Sequence, residues 1–440
     1  MLKRLGAAAS AAGVPIRDAQ FPAPFAGGLE YAAPARGTWN IAHTGMLIPE
    51  AHEIFVCAAG CLRGVVLTAA EMGAEDRFST IEIRENNVVE GDMEELILDG
   101  VGDILQKLPR KPKAVLLYTS CIHHFMSCDL DRIYRELRRR YPDTAFTDCY
   151  MNPIMRKSGR TPDQLMRTRL YSLLEPAPKD PEVVDILGND LPTDETSELY
   201  QVLRRAGKTV LDITRLHTWE EYQSMARAAL YVTTYPSAKA GGEDLEARLG
   251  GRHLYLPAAW GDAEIERHLR TLEEAAGAAP GDYTAAKAQA QAALDEAARE
   301  IGDTPVSIDY TAHPRPLGLA RRLTEAGFRV REVFLDGITA EEKDDLDWLR
   351  ENVPDMMLYP TVSPGMRVRP REEQGTLAVG QKAAYFTGTA HFVNLVQGGG
   401  LYGFDGVGKL AALLREAYRT PKDTRSIIQI KGWSCGGCCI

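Results

Sequence analysis

The stretch HEIFVCAAGCLRGVVLTAAEMG, residues 52–73, changes character halfway along. Its opening run, Ile54 to Cys57, is apolar without alternation, which suits a strand buried on both faces. The small residues Ala58, Ala59 and Gly60 follow, and from Leu62 onward apolar residues recur at helical spacing. A strand that passes straight into a helix is the repeating unit of α/β folds, and such folds bind ligands beyond the carboxyl ends of their strands. Cys57 and Cys61 stand at that junction.

The pattern recurs outward from this point. KAVLLYT, residues 113–119, reads as a second strand, and DLDRIYRELRRRYP, residues 129–142, as its helix, with Cys121, His123, His124 and Cys128 in the turn. A mixed, Pro- and Asp-rich stretch over 161–197 reads as a connection. A second series follows with KTVLDI, YVTTYP and HLYLPA, and a third opens at PVSIDY, residues 305–310. The expectation is an α/β protein of three Rossmann-like domains with parallel sheets. An N-terminal extension would cover 1–36, the cysteine-bearing domain 37–165, a second domain 166–300, and a third 301–440 with a Cys-rich tail.

With 440 residues, 45% hydrophobic and 25% charged, the composition is that of an ordinary globular protein. A formal net charge of -10 argues against nucleic acid as a partner. No apolar stretch approaches the length of a membrane span. The N-terminus imitates a signal peptide only weakly, so the expected location is the cytoplasm.

In such a chain eight clustered cysteines point to metal or redox work rather than disulfides. Cys57, Cys61, Cys121 and Cys128 make two pairs whose soft thiolates suit zinc or an iron-sulfur cluster. The six residues between Cys121 and Cys128 are too many for a zinc knuckle, which favours a cubane. Cys149 reads as a small buried hydrophobe. Asp129 is placed to cap the helix after Cys128. Adjacent histidines point in different directions, so at most one of His123 and His124 faces a metal. Cys435, Cys438 and Cys439 form a C-x-x-C-C tail suited to metal or redox chemistry. GGGLYG, residues 398–403, fits G-x-G-x-x-G, with Gly398, Gly400 and Gly403 able to admit a phosphate. No acidic residue closes the next strand, so this motif reads better as a glycine loop lining a cavity. His313, Arg315, His391 and Tyr402 are further cavity candidates.

Five segments together resemble the component 1 family of nitrogenases and the dark-operative protochlorophyllide reductases. They are HEIFVCAAGCLRGV, NNVVEGDMEELILDGVGDIL, PKAVLLYTSCIHHFMSCDLDRI, LYVTTYPSAKAGGEDLEARLGGRHLYLPAAWG and GLYGFDGVGKLA, in this order along the chain. The resemblance places Cys61, after Gly60, and Cys121 at cluster-ligand positions. It implies three Rossmann-like domains, a homodimer or an assembly with a homologous subunit, and electrons from an ATP-dependent iron-sulfur reductase.

Two departures shape the expectation. The family's earlier cluster cysteine has no counterpart in YAAPARGTWNIAHTG, residues 31–45, while Cys57 and Cys128 are additional. The four cysteines are therefore expected to hold one 4Fe-4S cluster within the chain. The places of the nitrogenase cofactor ligands are TTYPSAK, which lacks a cysteine, and Tyr402. The expected function is reduction of a substrate other than dinitrogen in an interdomain cleft, with His123, His124 and Tyr402 as proton donors and His391 near any second metallocofactor. The alternatives are a cofactor-assembly scaffold without turnover and a zinc-stabilised binding protein.

Overall fold

The protein is represented by a computed structural model that describes residues 12–28, 41–71, 73–152, 159–370, 375–424 and 427. It divides into two compact units, one of residues 39–192 with 207–257, the other of residues 1–38, 193–206 and 258–440. Strand β1 (Val14–Pro15) opens the described chain and joins the last sheet. In the first unit, β2 (Ala51–Cys57), β3 (Phe78–Glu82), β4 (Ala114–Ser120) and β5 (Ala145–Met151) form an all-parallel sheet in the order β3-β2-β4-β5.

β2 and β4 are buried at every position, which explains their near-continuous apolar runs. Alternate side chains go to opposite faces. Phe55, Leu116 and Tyr118 enter one core, and Ile54, Val56, Val115 and Leu117 the other. The second core is closed by Ile97, Leu98 and Val101 of the helix Met93–Lys107 and by Ile133 and Leu137 of the helix Leu130–Arg140.

The first core is shared with a second parallel sheet of the same unit. It comprises β6 (Asp180–Leu187), β7 (Thr209–Asp212), β8 (Ala228–Thr233) and β9 (Arg252–Tyr255), in the order β7-β6-β8-β9. Val183, Leu187 and Tyr231 pack into one cluster with Phe55 and Tyr118.

The stretch 161–197 is more than a connection, because it holds the helix Pro162–Arg169 and β6. Its prolines occupy tolerated places. Pro162 starts the helix, where Thr161 Oγ1 accepts the Gln164 N–H at 3.3 Å and Gln164 Oε1 accepts the Thr161 N–H at 2.9 Å. Pro181 lies in the exposed first residues of β6, before the buried run Val183–Leu187.

The other unit holds β10 (Val306–Asp309), β11 (Val330–Phe334), β12 (Met357–Tyr359), β13 (Leu377–Val379) and β14 (Phe392–Val393). With β1 they make a six-stranded sheet, β1-β12-β11-β10-β13-β14, in which only β1 runs antiparallel to its neighbour. Among the described residues no helix is long and apolar enough to cross a membrane.

A polar knot lies inside the first core. The Tyr118 ring stacks on Phe55 at 4.0 Å, and its hydroxyl lies 3.1 Å from Glu53 Oε1 and 3.0 Å from the Ile41 carbonyl. Burial pushes the Glu53 carboxyl well above its ordinary range, against the opposing pull of the Tyr118 hydroxyl and Arg77. Gly45 closes over this pair, and a Cβ there would overlap both Glu53 Oε1 and the Tyr118 hydroxyl. Gly45→Ala should therefore destabilise the protein by about 1–3 kcal/mol through overpacking. A urea-unfolding midpoint equal to that of the wild type would show that the short helix Ile41–Gly45 shifts without cost.

Candidate metal centre

β2 delivers Cys57 at its last position, and the helix Ala59–Glu71 begins two residues later with Cys61 in its first turn. β4 ends at Ser120, and Cys121 opens the short helix Cys121–Phe125. The strands are parallel neighbours, with Val56 beside Thr119, so both turns leave the same carboxyl edge of the sheet. Cys57 is buried, Cys121 half-buried and Cys61 exposed.

Burial, then the sulfurs of Cys61 and Cys121, push the Cys57 thiol up to about 12. Three neighbouring thiolates repel each other, and a cationic centre relieves that repulsion. The turn between Cys57 and Cys61 is uncrowded at Gly60, where an added Cβ would meet nothing within 4 Å. Cys128 has different surroundings. It packs with Ile122 and Leu130 against the second core, and burial and the Glu94 carboxylate raise its thiol.

Among the described residues no three His, Cys, Asp or Glu side chains come together as ligands of one metal ion. A cluster makes a wider demand, because each thiolate binds a different iron. Cys57, Cys61 and Cys121, at one edge of the sheet, fit that donor pattern. Cys435, Cys438 and Cys439 lie outside the described residues.

His123 and His124 diverge as adjacent helical residues must. His124 is exposed and meets Phe125 edge-on at 6.1 Å. His123 is buried, and its Nδ1 accepts the backbone N–H of Ser120 at 3.1 Å. Its Nε2 has no hydrogen-bond partner among the described residues. The imidazole thus takes the place of the Glu or Gln in an S-x-x-E capping box, a signal that S-x-x-H at 120–123 carries in the sequence. Asp129 caps the next helix as expected, accepting the Arg132 N–H at 2.9 Å.

The glycine loop belongs to the other unit. Gly398, Gly399, Gly400 and Gly403 all have positive φ, and the helix Gly403–Arg419 follows. The amino end of that helix is already occupied, by a carboxylate the sequence did not single out. Buried Glu198 accepts the Asp405 N–H at 3.2 Å, and a Cβ on Gly403 would overlap its Oε2. A pyrophosphate would have to displace this cap.

Tyr402 is buried, and burial, Glu264 and Glu198 raise its hydroxyl far above the ordinary phenol range. His391 Nδ1 lies 2.9 Å from the Ala417 carbonyl, in the last turn of the same helix. His313 Nδ1 accepts the Arg315 N–H at 3.1 Å and the Trp260 indole N–H at 3.3 Å, and burial and Arg315 push its pKa down to about 3. Arg315 is itself tied to Glu264 at 2.8 Å and to Asp345 at 3.4 Å. These candidates are knitted into internal bonds of their unit.

The architecture is that of a mixed α/β protein with parallel sheets. The chain belongs to the nitrogenase component 1 type oxidoreductases, whose family model matches residues 42–399. Its fold is similar to that of nitrogenase Cp1 at pH 6.5, with a TM-score of 0.68 and 14% identity over 90% of this chain and 94% of that one. Nitrogenase Cp1 at pH 5 gives a TM-score of 0.59 and 14% identity over 93% and 94%. No curated protein matches the chain.

The burial order of the thiols predicts their reactivity in metal-free protein. Iodoacetamide at pH 8 should label exposed Cys61 first. Buried Cys57 and Cys149, whose thiols are both raised by burial, should react last. Peptide mass spectrometry over a time course checks this order, and equal rates at Cys57 and Cys61 would contradict the described edge.

Proposed function

We propose that the chain is a subunit of a nitrogenase-like reductase in which Cys57, Cys61 and Cys121 hold a 4Fe-4S cluster. The observation that carries the reading is the placement of Cys57, Cys61 and Cys121 where two adjacent parallel strands leave the same carboxyl edge of the sheet. When bound, such a cluster supplies one-electron transfer. The chain's part is to hold the thiolates on a fixed sheet edge, with Cys57 shielded and Cys61 open to a partner. Family membership supports an ATP-dependent iron-sulfur reductase as the electron source.

The fourth iron needs a ligand. Cys128 is the sequence expectation, but its thiol packs beside the core and near Glu94. Phe125 and Met126, between Cys121 and Cys128, expose 67% and 43% of their surface. Exposed apolar side chains beside the half-buried Cys121 suit a subunit interface. We therefore assign the fourth ligand to a second copy or a homologous subunit. The substrate reading follows from the sequence. The middle segment TTYPSAK has no cysteine, and Tyr402 stands where a cofactor histidine would, so an organic substrate is preferred to dinitrogen. His124, exposed one turn from Cys121, is the candidate for proton supply.

Anaerobic purification followed by iron and acid-labile sulfide analysis tests the centre. Cys61→Ala and Cys121→Ala should each lose most of the iron, and Cys128→Ala should retain it. Loss of the cluster in Cys128→Ala would return that residue to the ligand set. A colourless protein containing zinc and no iron would sink the proposal. Consumption of a candidate substrate with reduced partner and ATP separates a reductase from an assembly scaffold.

A further inference from the structure

We propose that the crevice beside the edge strand β5 binds a phosphorylated small molecule, with Arg135, Arg138 and Arg169 supplying the positive charge that receives the phosphate. None of these residues is a cluster ligand, so the reading holds with or without a metal centre. The arginines of one helix are not treated alike. Leu130–Arg140 carries Arg132, Arg135, Arg138, Arg139 and Arg140. Arg132 pairs with Glu94 and Glu95, and Arg139 and Arg140 both pair with Glu136. Arg135 and Arg138 have no carboxylate within ion-pair distance among the described residues, and these are the two that line the crevice.

The crevice has a volume of about 550 Å³, which exceeds a bare phosphate and suits a small organic ligand. Tyr134, Arg135 and Arg138 reach it from the helix Leu130–Arg140, Asp148 and Tyr150 from one face of β5, and Arg169 from the end of the helix Pro162–Arg169. Two of the guanidiniums are held in place. Arg138 lies 5.7 Å from the centre of the Tyr134 ring and donates to the Phe146 carbonyl at 3.2 Å, while the Tyr134 hydroxyl donates to the Leu117 carbonyl at 3.2 Å. Arg169 donates to Asp148 Oδ2 at 2.6 Å, and the Tyr150 hydroxyl donates to the same oxygen at 2.5 Å. Arg169 Nε is buried and has no acceptor among the described residues. The three guanidiniums share the crevice with two carboxylates, Asp131 and Asp148, which leaves positive charge in excess. Asp148 is already taken by Arg169 and Tyr150. A phosphate has oxygens on every side and can meet guanidiniums that arrive from two helices, whereas a planar carboxylate is best matched by a single guanidinium fork.

Pyrophosphate carries the phosphate chemistry without the organic part, and citrate serves as the carboxylate control. The full chain as purified is titrated with each by isothermal titration calorimetry at low ionic strength, because salt screens exposed charges. We expect saturable binding of pyrophosphate, weakened roughly tenfold or more in Arg135→Gln and in Arg138→Gln. Arg132→Gln, on the same helix but paired with Glu94 and Glu95, should bind as the wild type does. Absence of saturable pyrophosphate binding overturns the proposal. Unchanged affinity in Arg135→Gln and Arg138→Gln overturns the site, and so does an equal loss in Arg132→Gln, which would reduce the effect to general charge. Citrate binding tighter than pyrophosphate overturns the phosphate assignment. If Arg138→Gln fails to fold for want of its bond to Phe146, exposed Arg135→Gln carries the test, with the same outcomes on either side.

Discussion

The first unit depends on the parallel pairing of β2 with β4, two strands buried along their whole length. Neither can exist as an edge. Each needs a neighbour on both sides and a core on both faces, and β3, β5 and two layers of side chains supply them. The same pairing fixes the height at which the two chains leave the sheet. A one-residue slip would turn Phe55 and Tyr118 away from the core that they share with the second sheet, so the register is enforced by burial. The relative position of Cys57 and Cys121 is thus set by packing below them rather than by the loops that carry them.

How much of this was legible follows from where the signal lies. Continuous apolar runs such as KAVLLYT and five buried positions such as Ile97 and Val101 at helical spacing need no tertiary knowledge, and these elements appear where the sequence placed them. β6 was hidden because Pro181 and the surrounding Asp and Pro residues read as loop, while five buried residues sufficed for the strand. β13 and β14 are three and two residues long, too short to show any period. The cysteine positions at strand ends were readable as chemistry. The surroundings of Cys128 were not readable, because its burial and the nearby Glu94 carboxylate come from parts of the chain that only the fold brings together.

The polar candidates show the same limit. His391, His313 and Tyr402 look functional in a sequence because their residue types are capable of chemistry, yet a histidine that accepts backbone N–H or meets a carbonyl serves equally well to brace a turn. The glycine loop is similar. Its positive φ angles need glycine, and its spacing matches a phosphate-binding pattern, but the spacing cannot reveal that a carboxylate from elsewhere already sits on the helix that follows. A local pattern describes a backbone shape, and only the tertiary fold says what fills it.

That carboxylate also bears on the order in which the molecule can form. Glu198 meets Asp405 across 207 positions of chain, and the segment around it, 193–206, groups with residues after 258 rather than with its sequence neighbours. As the polypeptide is synthesised, the helix Glu198–Arg205 emerges long before the helix whose end it caps. Its buried face, Leu199, Val202 and Leu203, has to wait in the nascent chain without its final partners. The first unit, by contrast, has all of its strands by Tyr255. Completion of the second unit is tied to arrival of the last part of the chain, so truncated products would leave Glu198 without the helix end that it caps.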